Sequence, residues 1–223
     1  WDHLMRNLRS ECLRGINLNY YKTLDRANLD DHSGLELARA LGCFKEEERT
    51  VKFIQGVLYH LKRLNWDFGG PMEMVDAGCG PVPVLGLMAA VMDENVNVTC
   101  LEVNEVSAQM ARQIVRNFGL EDRVKVIVAD AMQYQHEVPI DLLVSETMYS
   151  ALTEEPMAQI LANLGQQLSS RAGMVPEYAT VEAGVSRVDD TFKILHRIDP
   201  MMVVGSANFV RDPEEVARLT MEN

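Results

Sequence analysis

With 223 residues, 24% of them charged and 47% apolar, the chain has the composition of a folded globular protein with one principal core. Its formal net charge of -12 and the lack of any Lys/Arg cluster argue against nucleic acid as a partner. No run approaches the roughly 20 apolar residues that span a bilayer, and the N-terminal segment lacks a signal peptide's apolar core, so the expectation is a cytoplasmic protein with no membrane partner. The first forty residues mix Leu, Met and Tyr with charges and read as helical. From Phe44 the pattern sharpens: Val51, Ile54, Leu58 and Leu61 fall at helical spacing, and Asp67-Phe68-Gly69-Gly70-Pro71 ends that helix.

Beyond the stop, strand, loop and helix alternate. Met72 to Ala77 reads as a buried strand, Gly78 to Pro83 as a tight loop and Val84 to Met92 as an apolar helix. Val96, Val98 and Cys100 mark a second strand ending at Val103, before a helix with Ala111, Ile114, Val115 and Phe118 on one face and Gly119 as its stop. Val124, Val126 and Val128 mark a third strand, and Ile140 to Ser145 a fourth. A helical stripe then runs through Met157, Ile160, Leu161, Leu164 and Leu168, followed by a turn at Arg171-Ala172-Gly173 and a strand from Tyr178 to Val188. Repeated crossovers of this kind require a mainly parallel sheet with helices on both faces. The expected architecture is therefore α/β and Rossmann-like, with an N-terminal helical region over residues 1–66, a ligand-binding domain over 67–188 and a short C-terminal extension over 189–223. The cysteines, Cys12, Cys43, Cys79 and Cys100, lack a CxxC spacing and read as free thiols, with no metal expected.

In an open parallel sheet, ligands bind beyond the carboxyl ends of the strands, which makes the strand-ending residues informative. The first strand ends in Asp76-Ala77-Gly78-Cys79-Gly80-Pro81, where glycines let backbone N–H groups approach a ligand ahead of a helix N-terminus. A compact strand-to-helix turn would explain the same glycines. Glu102 closes the second strand about twenty-five residues after the loop, the place from which a carboxylate accepts both hydroxyls of a ribose. Asp130, followed by Ala131 and Met132, comes after the third strand. Its carboxylate could accept an adenine amino group while Met132 covers the ring, or it could serve only an Asx turn.

The successive segments DAGCG (76–80), CLEVN (100–104), VIVADAMQ (126–133) and IDLLVSE (140–146) resemble the motifs of class I S-adenosylmethionine-dependent methyltransferases. That resemblance implies S-adenosyl-L-methionine as cofactor. Its methionine part would face Gly78 and Gly80, its ribose Glu102 and its adenine Asp130, with Asp76, Ala131 and Met132 also expected among the cofactor-binding residues. A narrower likeness follows the fourth strand, where Glu146 and, nine residues later, Glu155 match the double-glutamate loop of protein arginine methyltransferases. Upstream, Glu48-Arg49-Thr50 resembles that family's Arg-Thr helix segment, which implies that Arg49 holds the cofactor carboxylate.

Two facing carboxylates suit a guanidinium, which is planar, carries its charge up to a pKa above about 12 and is gripped best by bidentate acids. The resemblance thus implies Glu146 and Glu155 as catalytic residues, acting on arginine in a protein or on a small guanidino compound, and is compatible with a homodimer. Plain structural readings stand beside these. Glu155 falls in the first turn of the helix expected after Thr153, where acids complement the dipole, and Arg49 could pair with neighbouring glutamates. The sequence departs from the arginine methyltransferase pattern at Gly80-Pro81-Val82-Pro83, at Tyr149 in place of a glycine, and in the roughly 35 residues after Val188, too few for that family's β-barrel. The Gly-Pro loop also resembles nicotianamine synthase, which moves an aminocarboxypropyl group from the same cofactor. Methylation of another small metabolite and a non-catalytic cofactor-binding module are the remaining alternatives.

Overall fold

The computed structural model describes residues 2–27, 37–148, 156–187 and 190–205. Three helices, α1 (Asp2–Cys12), α2 (Leu18–Ala27) and α3 (Leu37–Cys43), lead into the long α4 (Glu47–Asp67). Ile54, Val57, Leu61 and Leu64 recur every three or four positions along α4 and are all buried. The helix ends at Phe68, where the N–H groups of Phe68 and Gly69 both donate to the Leu64 carbonyl at 3.0 and 3.3 Å.

Five parallel strands form the central sheet: β1 (Met72–Ala77), β2 (Val96–Glu102), β3 (Val124–Val128), β4 (Ile140–Ser145) and β5 (Leu168–Val175). Their spatial order is β3-β2-β1-β4-β5, so the chain winds outward from β1 in one direction and returns to fill the other side. The switch point lies between β1 and β4. Alternating side chains send β1 Met72 and Met74 toward one face and Val75 and Ala77 toward the other. The first face carries α4, α5 (Val84–Met92) and α6 (Glu105–Asn117); the second carries α7 (Pro156–Leu164). Met5 of α1 and Leu37 and Leu41 of α3 belong to the same buried cluster as the sheet's first face.

Three sequence expectations are corrected. The stripe through Leu168 is not one helix: α7 stops at Leu164, a 3₁₀ turn spans Gly165–Gln167, and Leu168 opens β5. Arg171-Ala172-Gly173 is not a turn but the middle of β5. Gly173 is there because the His60 ring of α4 packs onto the strand, so closely that a Cβ would overlap it. Finally, the strand at Tyr178 does not extend the parallel sheet. Within the described residues it is β6 (Tyr178–Arg187), paired antiparallel with β7 (Asp190–Gly205) in a separate two-stranded sheet, and β7 had no expected counterpart. Val188 lies outside the described residues.

Candidate active site

Parallel register sets the site. Ala77 of β1 lies beside Leu101 of β2 and Ser145 of β4, and Glu102 lies beside Val128 of β3, so the four strands deliver their next residues to one edge of the sheet. A cavity of about 710 Å³ opens there, roofed by Cys43 of α3, Phe44 just after it, and Thr50 and Phe53 of α4.

The glycine loop begins with Gly78 and Cys79 donating their N–H groups to the Leu101 carbonyl at 2.9 and 3.0 Å. These bonds carry the parallel β1–β2 pairing one step past the strand end; the loop then turns with Gly78 at φ +76°, where a side chain would also overlap the Thr147 methyl group. The next N–H, of Gly80, donates to Glu102 Oε2 at 2.9 Å, while the Asn104 N–H donates to Glu102 Oε1 at 2.8 Å. Asn104 in turn caps α6, its Oδ1 accepting from the Ser107 N–H at 2.9 Å. Glu102 is therefore fixed on both oxygens, each with acceptor capacity to spare, on the cavity wall. Burial raises its pKa against the opposing effect of those N–H donors.

Asp76 also lines the cavity but reaches across to α5, where Oδ2 accepts the Gly86 N–H at 3.1 Å in the helix's first turn. Burial pushes its pKa to about 7, the Gly86 N–H works against the shift, and the charges of Glu102 and Glu146 add to it. Asp130 forms the Asx turn that was one of its two sequence readings. Its Oδ1 accepts the Met132 N–H at 2.9 Å and its Oδ2 the Gln133 amide at 3.2 Å. The turn presents Asp130, Ala131 and the partly exposed Met132 to the cavity.

Glu146 leaves β4 into the same space, and Arg49 of α4 meets it, Nη1 to Oε1, at 3.0 Å. Arg49 also lies 3.6 Å from Glu46 and donates through Nη2 to the Cys43 carbonyl at 3.0 Å. The structure thus brings Arg49, Asp76, Gly78, Gly80, Glu102, Asp130, Ala131, Met132 and Glu146 around one cavity. Glu155 and Tyr149 lie outside the described residues. Sequence reading missed Arg39, Ala40, Cys43 and Phe44, whose spacing places one face of α3 and its continuation on the cavity. Only the helix at Leu37–Cys43, which the mixed N-terminal pattern concealed, could have signalled them. Cys79 and Cys100 remain free thiols, their pKa values pushed up, for Cys79 first by its hydrogen bond with Cys100 and then by burial. Among the described residues, no group of three or more acidic, histidine or cysteine side chains could hold a metal ion, and no helix is long and apolar enough to cross a membrane.

Residues 74–171, the span that carries these strand ends, match the family model of a methyltransferase domain. The chain carries a class I, S-adenosylmethionine-dependent methyltransferase domain. Its fold is shared with the Trypanosoma brucei PRMT1 enzyme–prozyme heterotetrameric complex with AdoHcy, at a TM-score of 0.52 and 23% identity over 66% of this chain and 44% of that one. A probable protein arginine N-methyltransferase 6.1 of Oryza sativa subsp. indica is 27% identical over 158 residues, 70% of this chain. A tRNA1(Val) (adenine(37)-N6)-methyltransferase of Actinobacillus pleuropneumoniae serotype 5b (strain L20) is 30% identical over 77 residues, 34% of this chain. The chain spans 39% and 33% of the lengths of these two relatives.

Proposed function

We propose that this domain binds S-adenosylmethionine at the described cavity and transfers its methyl group to a guanidino nitrogen, of arginine in a protein or of a small arginine-like molecule. The observation that carries the binding half is Glu102. A carboxylate fixed by the Gly80 and Asn104 N–H groups at the end of β2, facing the cavity, is pre-organised to accept two vicinal hydroxyls. The cavity, at about 710 Å³, falls in the range that small-molecule sites occupy. When bound, the cofactor would supply an electrophilic methyl group on a sulfonium.

The residues of this chain would do the remaining work. Glu102 would orient the nucleoside, and Asp130 with Met132 would flank the base. Glu146 would face the acceptor, draw a guanidinium's charge toward its carboxylate and stabilise that charge during transfer. Glu155 would complete the grip, as the resemblance implies. The arginine methyltransferase likeness of the relatives supports the acceptor class, and so does the Arg49 ion pair, in which Glu146 already takes one guanidinium at 3.0 Å.

Calorimetric titration with S-adenosylhomocysteine tests the binding half: the wild-type chain should bind, and Glu102→Ala should weaken binding by about tenfold to a hundredfold, the loss of charge-assisted hydrogen bonds worth about 1.5–3 kcal/mol. Unchanged affinity in a folded Glu102→Ala protein would reject the ribose assignment. Mass analysis after incubation with labelled cofactor tests the transfer half. A methyl increment on an arginine-containing acceptor is expected. An aminocarboxypropyl increment, or none, would replace the reading with the synthase-like or the non-catalytic one.

A further inference from the structure

β1 and β4 run side by side at the switch point with Ala77 registered against Ser145, so Gly78 and Glu146 are the first residues beyond the sheet on neighbouring strands. Gly78 opens the glycine loop, and Glu146 is the carboxylate assigned above to the acceptor. Thr147 touches both segments.

The Thr147 and Ser145 hydroxyls are hydrogen-bonded to each other at 2.9 Å. That bond closes a ring across the backbone of Glu146, the residue between them. Ser145 is fully buried as the last residue of β4, which anchors the ring in the sheet. Torsions fixed at this point limit where the Glu146 side chain can reach once the chain leaves the strand. The Thr147 methyl group, by contrast, occupies the space that a Cβ on Gly78 would take. Gly78 is itself pinned, its N–H donating to the Leu101 carbonyl at 2.9 Å. Thr147 therefore has two separable contacts, a hydroxyl on Ser145 and a methyl group against the glycine loop, and with Glu146 and Gly78 it lines the cavity.

We propose that Thr147 is a positioning residue for methyl transfer: through Ser145 its hydroxyl holds Glu146 at the angle at which it meets the acceptor, while its methyl group keeps the glycine loop seated for the cofactor. The inference rests on the guanidino-transfer reading above and names the device that aligns the two halves of that site. The stake is large, because a displacement of about 1 Å at a reacting group costs up to about a hundredfold in rate.

Three substitutions take the contacts apart. Thr147→Val keeps the shape against Gly78 and loses the hydroxyl, Ser145→Ala removes the other half of the bond, and Thr147→Ser keeps the hydroxyl and loses the methyl group. With S-adenosylmethionine and an arginine-containing peptide, Thr147→Val and Ser145→Ala should each lower kcat by about tenfold or more, with calorimetric affinity for S-adenosylhomocysteine within about twofold of wild type. The double variant should be no slower than the slower single one, since the two hydroxyls act as a unit. Thr147→Ser should show the opposite split, with kcat within about threefold of wild type and S-adenosylhomocysteine bound several times more weakly. The inference is overturned if Thr147→Val keeps wild-type kcat, if Thr147→Ser loses as much kcat as Thr147→Val, if the losses multiply in the double variant, or if Thr147→Val weakens S-adenosylhomocysteine as much as it slows turnover. A wild-type chain that binds S-adenosylhomocysteine but methylates no arginine-containing acceptor would instead overturn the guanidino reading, and this inference with it.

Discussion

Asp76 is 2% exposed at the penultimate position of β1, and the hydrogen bond it accepts from the Gly86 N–H does not offset the cost of burying a charge. Its pKa of about 7 therefore has a stability consequence whose sign is fixed. Below about pH 3.8, the ordinary aspartate value, both folded and unfolded chains hold the proton. As pH rises toward 7 the unfolded chain releases it and the folded chain does not, so stability falls by about 1.4 kcal/mol per unit. The Asp76→Asn chain keeps an acceptor for Gly86 without the charge. It should melt at nearly the wild-type temperature near pH 4 and clearly above it at pH 8, by an amount on the order of a few kcal/mol. Melting curves in buffers across that range decide it; a difference independent of pH would mean that Asp76 is ionised throughout. Glu102 was easier to foresee than Asp76's role. An acid between two apolar residues at a strand end declares a facing ligand or a buried anchor, whereas nothing in the sequence shows that Asp76 reaches across to α5.

At the opposite edge of the sheet the elements are tied by another aspartate. Asp141, at the start of β4, accepts the Glu73 N–H of β1 at 3.1 Å, the Ser169 hydroxyl of β5 at 2.7 Å and the Arg171 guanidinium at 2.8 and 2.9 Å. Burial alone would raise its pKa, but the Arg171, Ser169 and Glu73 donors together hold it below the usual aspartate value. A depressed carboxylate stabilises the fold above its unfolded pKa and loses that contribution as pH falls through the folded one. Asp141→Asn should accordingly cost about 2–4 kcal/mol at pH 7, since it leaves Arg171 without its charge partner, and the cost should shrink as pH is taken into the acid range below about 4. Urea unfolding of both proteins at the two pH values measures it, and an equal cost at both would show that shape, not charge, holds the three strands. These contacts also explain why β5 escaped the sequence reading. Ser169-Ser170-Arg171 has no alternation of apolar residues, because this strand is anchored through polar side chains, while Gly173 looks like a turn residue until His60 is seen to pack on it.

Across the whole molecule, the strand–helix order from Met72 to Ser145 was legible because each strand is a short apolar run closed by glycine or an acid, and β1, α5 and β4 have the expected limits. The N-terminal helices were less so: Met5, Leu37 and Leu41 face the shared core from short segments whose other positions show no single period. What the sequence does state at this scale is charge. A net charge of -12, with four carboxylates on the wall of a cavity that has two arginines, gives a field that attracts cations toward the site. If the acceptor is a guanidinium, encounter should be assisted by that field and weakened by salt, because the Debye length shrinks from about 14 Å to about 4 Å between roughly 0.05 and 0.5 M ionic strength. The expected outcome is a severalfold fall in kcat/KM for an arginine-containing peptide over that range, carried by KM, with kcat nearly constant since the Glu146 contacts are made after desolvation. A peptide in which citrulline replaces the arginine should bind weakly at every salt concentration and show no such slope. Initial-rate measurements for the arginine peptide, with competition binding for the citrulline peptide, distinguish the cases. A salt-independent KM would show that the acceptor reaches the site without electrostatic guidance, leaving the acidic balance to solubility alone.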